Sequence, residues 1–122
     1  MAAPLILHVE DNPSNRKVVQ HIFRTVDYRL VEAVDGEEGL RLARQELPDL
    51  VLLDMQLPRL SGYEVARALK ADERTRHIPI LAVTSYALAG DDLRAREAGC
   101  DGYLTKPFRP RQLLDYLEAL LT

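Results

Sequence analysis

Two adjacent carboxylates, Glu10 and Asp11, close the apolar run LILHV. A third, Asp54, closes the run LVLL. Thr84 and Ser85 close ILAV, and Thr105 and Lys106, followed by Pro107, close GYL. Three carboxylates at close quarters cannot all stay ionised without a counter-charge. Lys106 supplies one. A hard divalent cation would supply the rest, and Mg2+ (or Mn2+) takes a few carboxylate oxygens while keeping several waters. The set suits phosphoryl transfer. Asp54 is a candidate nucleophile of the kind that forms an aspartyl phosphate. That chemistry needs in-line positioning and positive charge on the equatorial oxygens more than covalent assistance. A cation on Asp11 and Asp54, the Lys106 ammonium and the Thr84 hydroxyl would each serve such oxygens.

These residues must be brought together by the elements that carry them. Leu5–Val9 reads as a short strand. Asn12 suits a helix N-cap and Pro13 the first helical position, and Val18, Val19, Ile22, Phe23 and Val26 follow helical spacing over Pro13–Thr25. Arg29–Val34 reads as a strand. The segment DGEEGLRLARQEL reads as a helix with Asp35 and Glu38 at capping-box spacing. PDLVLLD, residues 48–54, is apolar at every position from Leu50 to Leu53, as in a strand buried on both faces. A loop leads to a second capping box, Ser61 and Glu64, opening a helix to about Ala71. HIPILAVTS is another buried strand, and a short helix from Gly90 to Ala98 ends at Gly99. GYLT is the last strand. From Pro110 a helix carries Leu113, Leu114, Leu117, Leu120 and Leu121 on one face. Five β-α alternations predict an α/β domain with a parallel sheet between two helix layers. In such sheets ligands gather at the carboxyl ends of the strands, where every candidate residue above falls.

The 122 residues make one domain, 1–122, with a substantial core. Net charge is −3 with the two signs interspersed, so there is no basic stripe for nucleic acid and no polybasic membrane patch. No apolar run approaches the ~20 residues of a membrane-spanning helix. The segment MAAPLILHVED lacks the basic start of a signal peptide. The single cysteine, Cys100, excludes an intrachain disulfide and fits a reducing compartment, so the cytoplasm is expected. His8, His21 and His77 have no ligand spacing. His8 is expected in the core, as is Cys100. Taken singly, an acidic pair after a strand is usually solvated, a threonine usually structural and a lysine usually superficial. Their coincidence on strand ends is what carries the reading.

The acidic pair in VED, the strand-end aspartate in LVLLDMQLPRLSG, Thr84 in ILAVTS and Lys106-Pro107 in YLTKPF together resemble a response-regulator receiver domain of the CheY-like superfamily. The resemblance spans the chain in order and spacing. Within the family it looks closest to the DivK-type single-domain regulators, through VEDN, DMQLPRLSGYEV, HIPILAVTSYALAGDD and EAGCDGYLTKP. It implies a flavodoxin-like (βα)5 doubly wound fold with strand order 2-1-3-4-5.

The resemblance also implies roles. Asp54 accepts a phosphoryl group from a sensor histidine kinase or phosphotransfer protein. Asp11, Asp54 and the backbone carbonyl of Gln56 bind Mg2+, and Glu10 acts through a water. Lys106 contacts the phosphoryl group, across a cis peptide to Pro107. Thr84 and Tyr103 form a switch, in which the Tyr103 ring moves from an exposed to a buried position. Gln56 and Tyr86, two residues beyond the acceptor and the switch threonine, tune the phosphate lifetime, with Tyr86 shielding the phosphoryl group from water. Output passes to a downstream protein through the fourth helix, fifth strand and fifth helix, flanked by Arg94, Arg96, Arg109 and Arg111. With no effector domain after Thr122, that output is expected through protein contact rather than DNA. Such a protein is no enzyme beyond its own phosphorylation and dephosphorylation. Other readings stay open: a receiver detached from a hybrid histidine kinase, and a phosphohydrolase with an aspartate nucleophile. The phosphohydrolase reading would place a second carboxylate where Gln56 stands and would want a cap domain. A flavodoxin relative would want a Ser/Thr-rich phosphate loop where EDNPSN stands.

Overall fold

The computed structural model describes residues 3–85 and 88–122. Strands β1 (Leu5–Val9), β2 (Arg29–Ala33), β3 (Leu50–Asp54), β4 (Ile80–Thr84) and β5 (Gly102–Thr105) alternate with five helices. These are α1 (Pro13–Phe23), α2 (Gly36–Glu46), α3 (Gly62–Ala71), α4 (Asp91–Glu97) and α5 (Pro110–Leu121). The sheet is parallel throughout, in the order β2-β1-β3-β4-β5.

The continuous apolar runs become the central strands because both of their faces are covered. All five residues of β3 and of β4 are buried. Their side chains alternate between two cores. Leu7, Val9, Val51, Leu53, Ile80 and Ala82 face one core, with Ala43, Val65, Ala66, Leu69 and Ala95 from α2, α3 and α4. Ile6, Leu50, Leu52, Leu81 and Val83 face the other, with Val19, Ile22 and Phe23 of α1 and Leu113, Leu114 and Leu117 of α5. Each fully buried leucine contributes about 2 kcal/mol by removal from water.

The caps hold α1 and α3 as their sequences suggest. The Asn12 side chain accepts from the Ser14 and Asn15 N–H groups, and Ser61 and Glu64 close a reciprocal box. At α2 the Asp35 carboxylate accepts from the Glu38 N–H, but the Glu38 carboxylate accepts from Val34 rather than from Asp35. That box closes one residue early. Gly99, at φ 103°, ends the α4 segment as expected. Helix α2 ends on Leu47, a non-glycine residue at φ 45°.

Two readings of α1 need correction. The helix stops at Phe23 rather than Thr25, and a turn follows in which the Thr25 hydroxyl donates to the Ile22 carbonyl. Val18 is 49% exposed and lies outside the core. At 100° per residue the sheet-facing positions are Val19, Ile22 and Phe23, which leaves Val18 at the edge of the apolar stripe.

The loop after β3 is pressed against the start of α3. A Cβ on Gly62 would fall against the Asp54 carbonyl and within 2.6 Å of the Met55 Cα, both of them backbone. Gly62→Ala is expected to lose about 2 kcal/mol of stability, the scale of overpacking in a core, read as a lower urea midpoint with unchanged slope.

Candidate functional site

Because the strands are parallel, their carboxyl ends lie along one edge of the sheet. Asp54 is paired in register with Val83, and Thr84 with Thr105. Glu10 continues β1 by one bond, from its N–H to the Ala33 carbonyl at 3.0 Å. The strand ends thus bring Glu10, Asp11, Asp54, Thr84 and Lys106 to a common edge.

Glu10 is 1% exposed and Asp54 5%, whereas Asp11 faces solvent. One carboxylate oxygen from each of the three can be chosen so that all lie within 4.8 Å of one another. Among the described residues, Lys106 is the cation paired with these carboxylates. Its ammonium donates to Glu10 Oε1 at 2.6 Å and stands 3.5 Å from Asp54 Oδ2. Glu10 Oε2 accepts from the Asn12 N–H at 3.2 Å, and the Arg16 guanidinium donates to the Glu10 carbonyl at 2.9 Å. Burial holds the Glu10 carboxyl above the usual carboxylate range; Lys106 opposes that and Asp54 adds to it. Asp54 Oδ1 accepts from the Gln56 N–H at 2.9 Å. The cluster carries more negative charge than Lys106 offsets. A donor set of oxygens only, one residue of it open to solvent, fits a hard divalent cation such as Mg2+.

The Thr84 side chain is fully buried. Its hydroxyl donates to Gln56 Oε1 at 2.9 Å, and the Ser85 N–H donates to the same oxygen, also at 2.9 Å. Tyr103 is half-buried and packs against the α2–α3–α4 core, with its hydroxyl closed off from solvent. Burial raises its phenol pKa, and the Thr84 hydroxyl moderates the rise. The Lys106–Pro107 peptide is cis. Tyr86 lies outside the described residues. Of the four arginines expected at the output face, Arg94 stacks 3.9 Å above the Tyr63 ring and Arg111 pairs with Asp115 at 3.3 Å. Arg96 and Arg109 are exposed. Cys100 is buried, which pushes its thiol up to about 12.

Sequence reasoning singled out Gln56 but missed the partners of its side chain, which lie across the β3–β4 step, and it missed Arg16, one helical turn beyond the acidic pair. No spacing rule reports either contact. It also missed a cavity of about 400 Å3 between α1 and the segment after β5, lined by His8, Val18, Val19, Val83, Lys106 and Phe108 among others. The His8 Nδ1 has no hydrogen-bond partner among the described residues. Burial, with Lys106 and Arg16 adding to it, lowers the His8 pKa to about 3.

Comparison with known proteins agrees with this geometry. Residues 6–118 match the family model of the response regulator receiver domain. The polar-differentiation response regulator DivK of Brucella ovis is 40% identical over 116 residues, covering 95% of this chain and 94% of that protein. Among solved structures, the receiver domain of a sensor histidine kinase from Pseudomonas aeruginosa, with a magnesium ion coordinated in its active-site cleft, is 38% identical. It superposes with a TM-score of 0.91 over 98% of both chains. The chemotaxis protein CheY4 of Vibrio cholerae is 30% identical, with a TM-score of 0.92 over 98% of this chain and 100% of that one.

The His8 environment has a consequence for acid stability. A histidine whose folded pKa is depressed stabilises the fold above its unfolded value, and that stability is lost as pH falls toward the folded value. With about 3 folded against 6.5 unfolded, the native state loses about 2 kcal/mol between pH 7 and pH 5 through His8 alone. Urea denaturation at the two pH values should show that loss in the wild type and a smaller one in His8→Leu.

Proposed function

The chain belongs to the family of response regulator receiver domains, and from that premise we propose that it is a phosphorylation-controlled switch with Asp54 as phosphoacceptor. The donor is a phosphohistidine on a sensor histidine kinase or phosphotransfer protein. An Asp54 carboxylate oxygen attacks the phosphorus in line, the phosphorus–nitrogen bond breaks, and the imidazole leaves with the electron pair and takes up a proton. The observation that supports this most is the convergence of Asp54, two further carboxylates and Lys106 at the ends of β1, β3 and β5.

Asp11, Asp54 and the backbone carbonyl of Gln56 would hold Mg2+, which supplies positive charge to the phosphoryl oxygens when bound. Both Glu10 oxygens already accept protein hydrogen bonds. Glu10 would therefore act on the cation through water rather than as a direct ligand. Lys106, 3.5 Å from Asp54, would pair with the phosphoryl anion as well as with Glu10. Thr84 donates its hydroxyl to another phosphoryl oxygen, and Tyr103 follows it. Gln56 and Tyr86 set how readily water reaches the acyl phosphate. The protein is no enzyme beyond turning over its own phosphate, and it acts in the cytoplasm.

Output passes through the face of α4, β5 and α5. Leu93 and Tyr116 are exposed there, and Leu88 just before α4, as a protein-docking face requires. Arg96 and Arg109 add positive charge to it. No described helix is long and apolar enough to cross a membrane. The 40% identity to DivK supports a regulator of the DivK kind. A receiver working beside a histidine kinase is the second reading, favoured by the 38% identity to such a domain; both share the chemistry at Asp54.

The test is an intact-mass spectrum after incubation with Mg2+ and acetyl phosphate. One phosphoryl adduct is expected, absent in Asp54→Asn and absent when the metal is chelated. Adduct formation in Lys106→Ala is expected to slow by about a hundredfold, the scale of removing one preorganised charge. A folded wild-type protein with no adduct overturns the reading.

A further inference from the structure

The convergence of two donors on Gln56 Oε1 assigns that side chain a role that its position in the sequence does not. The Thr84 hydroxyl and the Ser85 N–H both end on that oxygen at 2.9 Å. The orientation of the amide is fixed chemically, because an –NH2 group at this place would face a backbone donor. Gln56 also donates its own N–H to Asp54 Oδ1. The acceptor that satisfies Thr84 and Ser85 is thus attached two residues beyond Asp54 and stands on the same side of the sheet edge.

We propose that the Gln56 carboxamide is a built-in stand-in for a phosphoryl oxygen, a positioning residue that keeps Thr84 drawn inward, and Tyr103 with it, before any phosphorylation. A phosphoryl group on Asp54 presents the same kind of oxygen to the same two donors, so this assignment rests on the reading of Asp54 as phosphoacceptor. The closed arrangement of Tyr103, its hydroxyl screened from solvent beside Thr84, is what such a latch produces. Phosphorylation must then displace Gln56 rather than recruit donors that point elsewhere. The difference between the resting and phosphorylated ensembles is correspondingly small, since a ligand shifts an equilibrium only by its differential affinity for the two states.

The test is 19F NMR of the full chain carrying 3-fluorotyrosine at position 103, with the solvent-isotope shift reporting exposure of that ring. Gln56→Met keeps the volume and removes the acceptor. Its resting state is expected to show a more exposed Tyr103, with the outward-to-inward ratio raised about fivefold, the change that one net hydrogen bond supports. Gln56→Glu keeps an oxygen at the same reach and is expected to retain the wild-type signal, which a packing role would not distinguish from Met. In Thr84→Val the donor is gone, and adding Gln56→Met to it is expected to change little. Beryllofluoride with Mg2+ should move the ring in Gln56→Met more than in the wild type. Identical Tyr103 exposure in wild type and Gln56→Met overturns the latch. No response to beryllofluoride in any variant counts against Asp54 as phosphoacceptor, and the resting-state comparison still decides the latch.

Discussion

The fold's chemistry depends on one buried ion pair, Lys106 to Glu10, which joins the ends of the first and last strands in sequence. The pair closes a 96-residue loop of chain at 2.6 Å and stands beside two more carboxylates. Buried pairs of this kind add little net stability, because desolvation offsets the attraction, but breaking one by removing a partner is costly. Lys106 therefore specifies more than it stabilises. It opposes the burial that favours the neutral acid at Glu10, and it does so without matching the three carboxylates in number. What is left over is the capacity to bind a cation.

The parallel register converts that local balance into a site. The ends of β1, β3, β4 and β5 contribute side chains to one edge, and the chain turns there into the helices that follow. Asn12 caps α1 two residues beyond Glu10 and donates its own N–H to that carboxylate, so the helix start and the acidic pair are mutually fixed. Gly62 lets α3 approach the β3 loop to a distance that no side chain would permit. Behind Asp54 the chain is met by the backbone at the start of α3 rather than by a side chain.

Much of this was legible in the residues. Leu50–Leu53 and Ile80–Val83 announced central strands because burial on both faces removes the polar alternation that makes other strands ambiguous. Asn12-Pro13 and Ser61–Glu64 announced helix starts because capping is a local contract between residues a turn apart. Val18 misled because apolar spacing marks a stripe without locating its edge. The Gln56 side chain was silent for a different reason. Its partners lie 28 and 29 positions away, and an amide two residues after an aspartate looks the same whether it faces water or another strand. Lys106 was expected against a phosphoryl group; its ammonium stands 2.6 Å from Glu10 and 3.5 Å from Asp54, a pairing that no local spacing reports.

Leu47 gives the molecule somewhere to drift. It ends α2 in a left-handed conformation that a branched side chain tolerates at a cost of roughly 1 kcal/mol, and it is half-exposed at the amino-terminal edge of the sheet, opposite the strand-end cluster. A lineage carrying a destabilising change near Asp54 could regain that margin by placing glycine or asparagine at position 47. The two edits would never touch. The architecture thus separates where the strand-end cluster can be altered from where the thermodynamic consequences are absorbed.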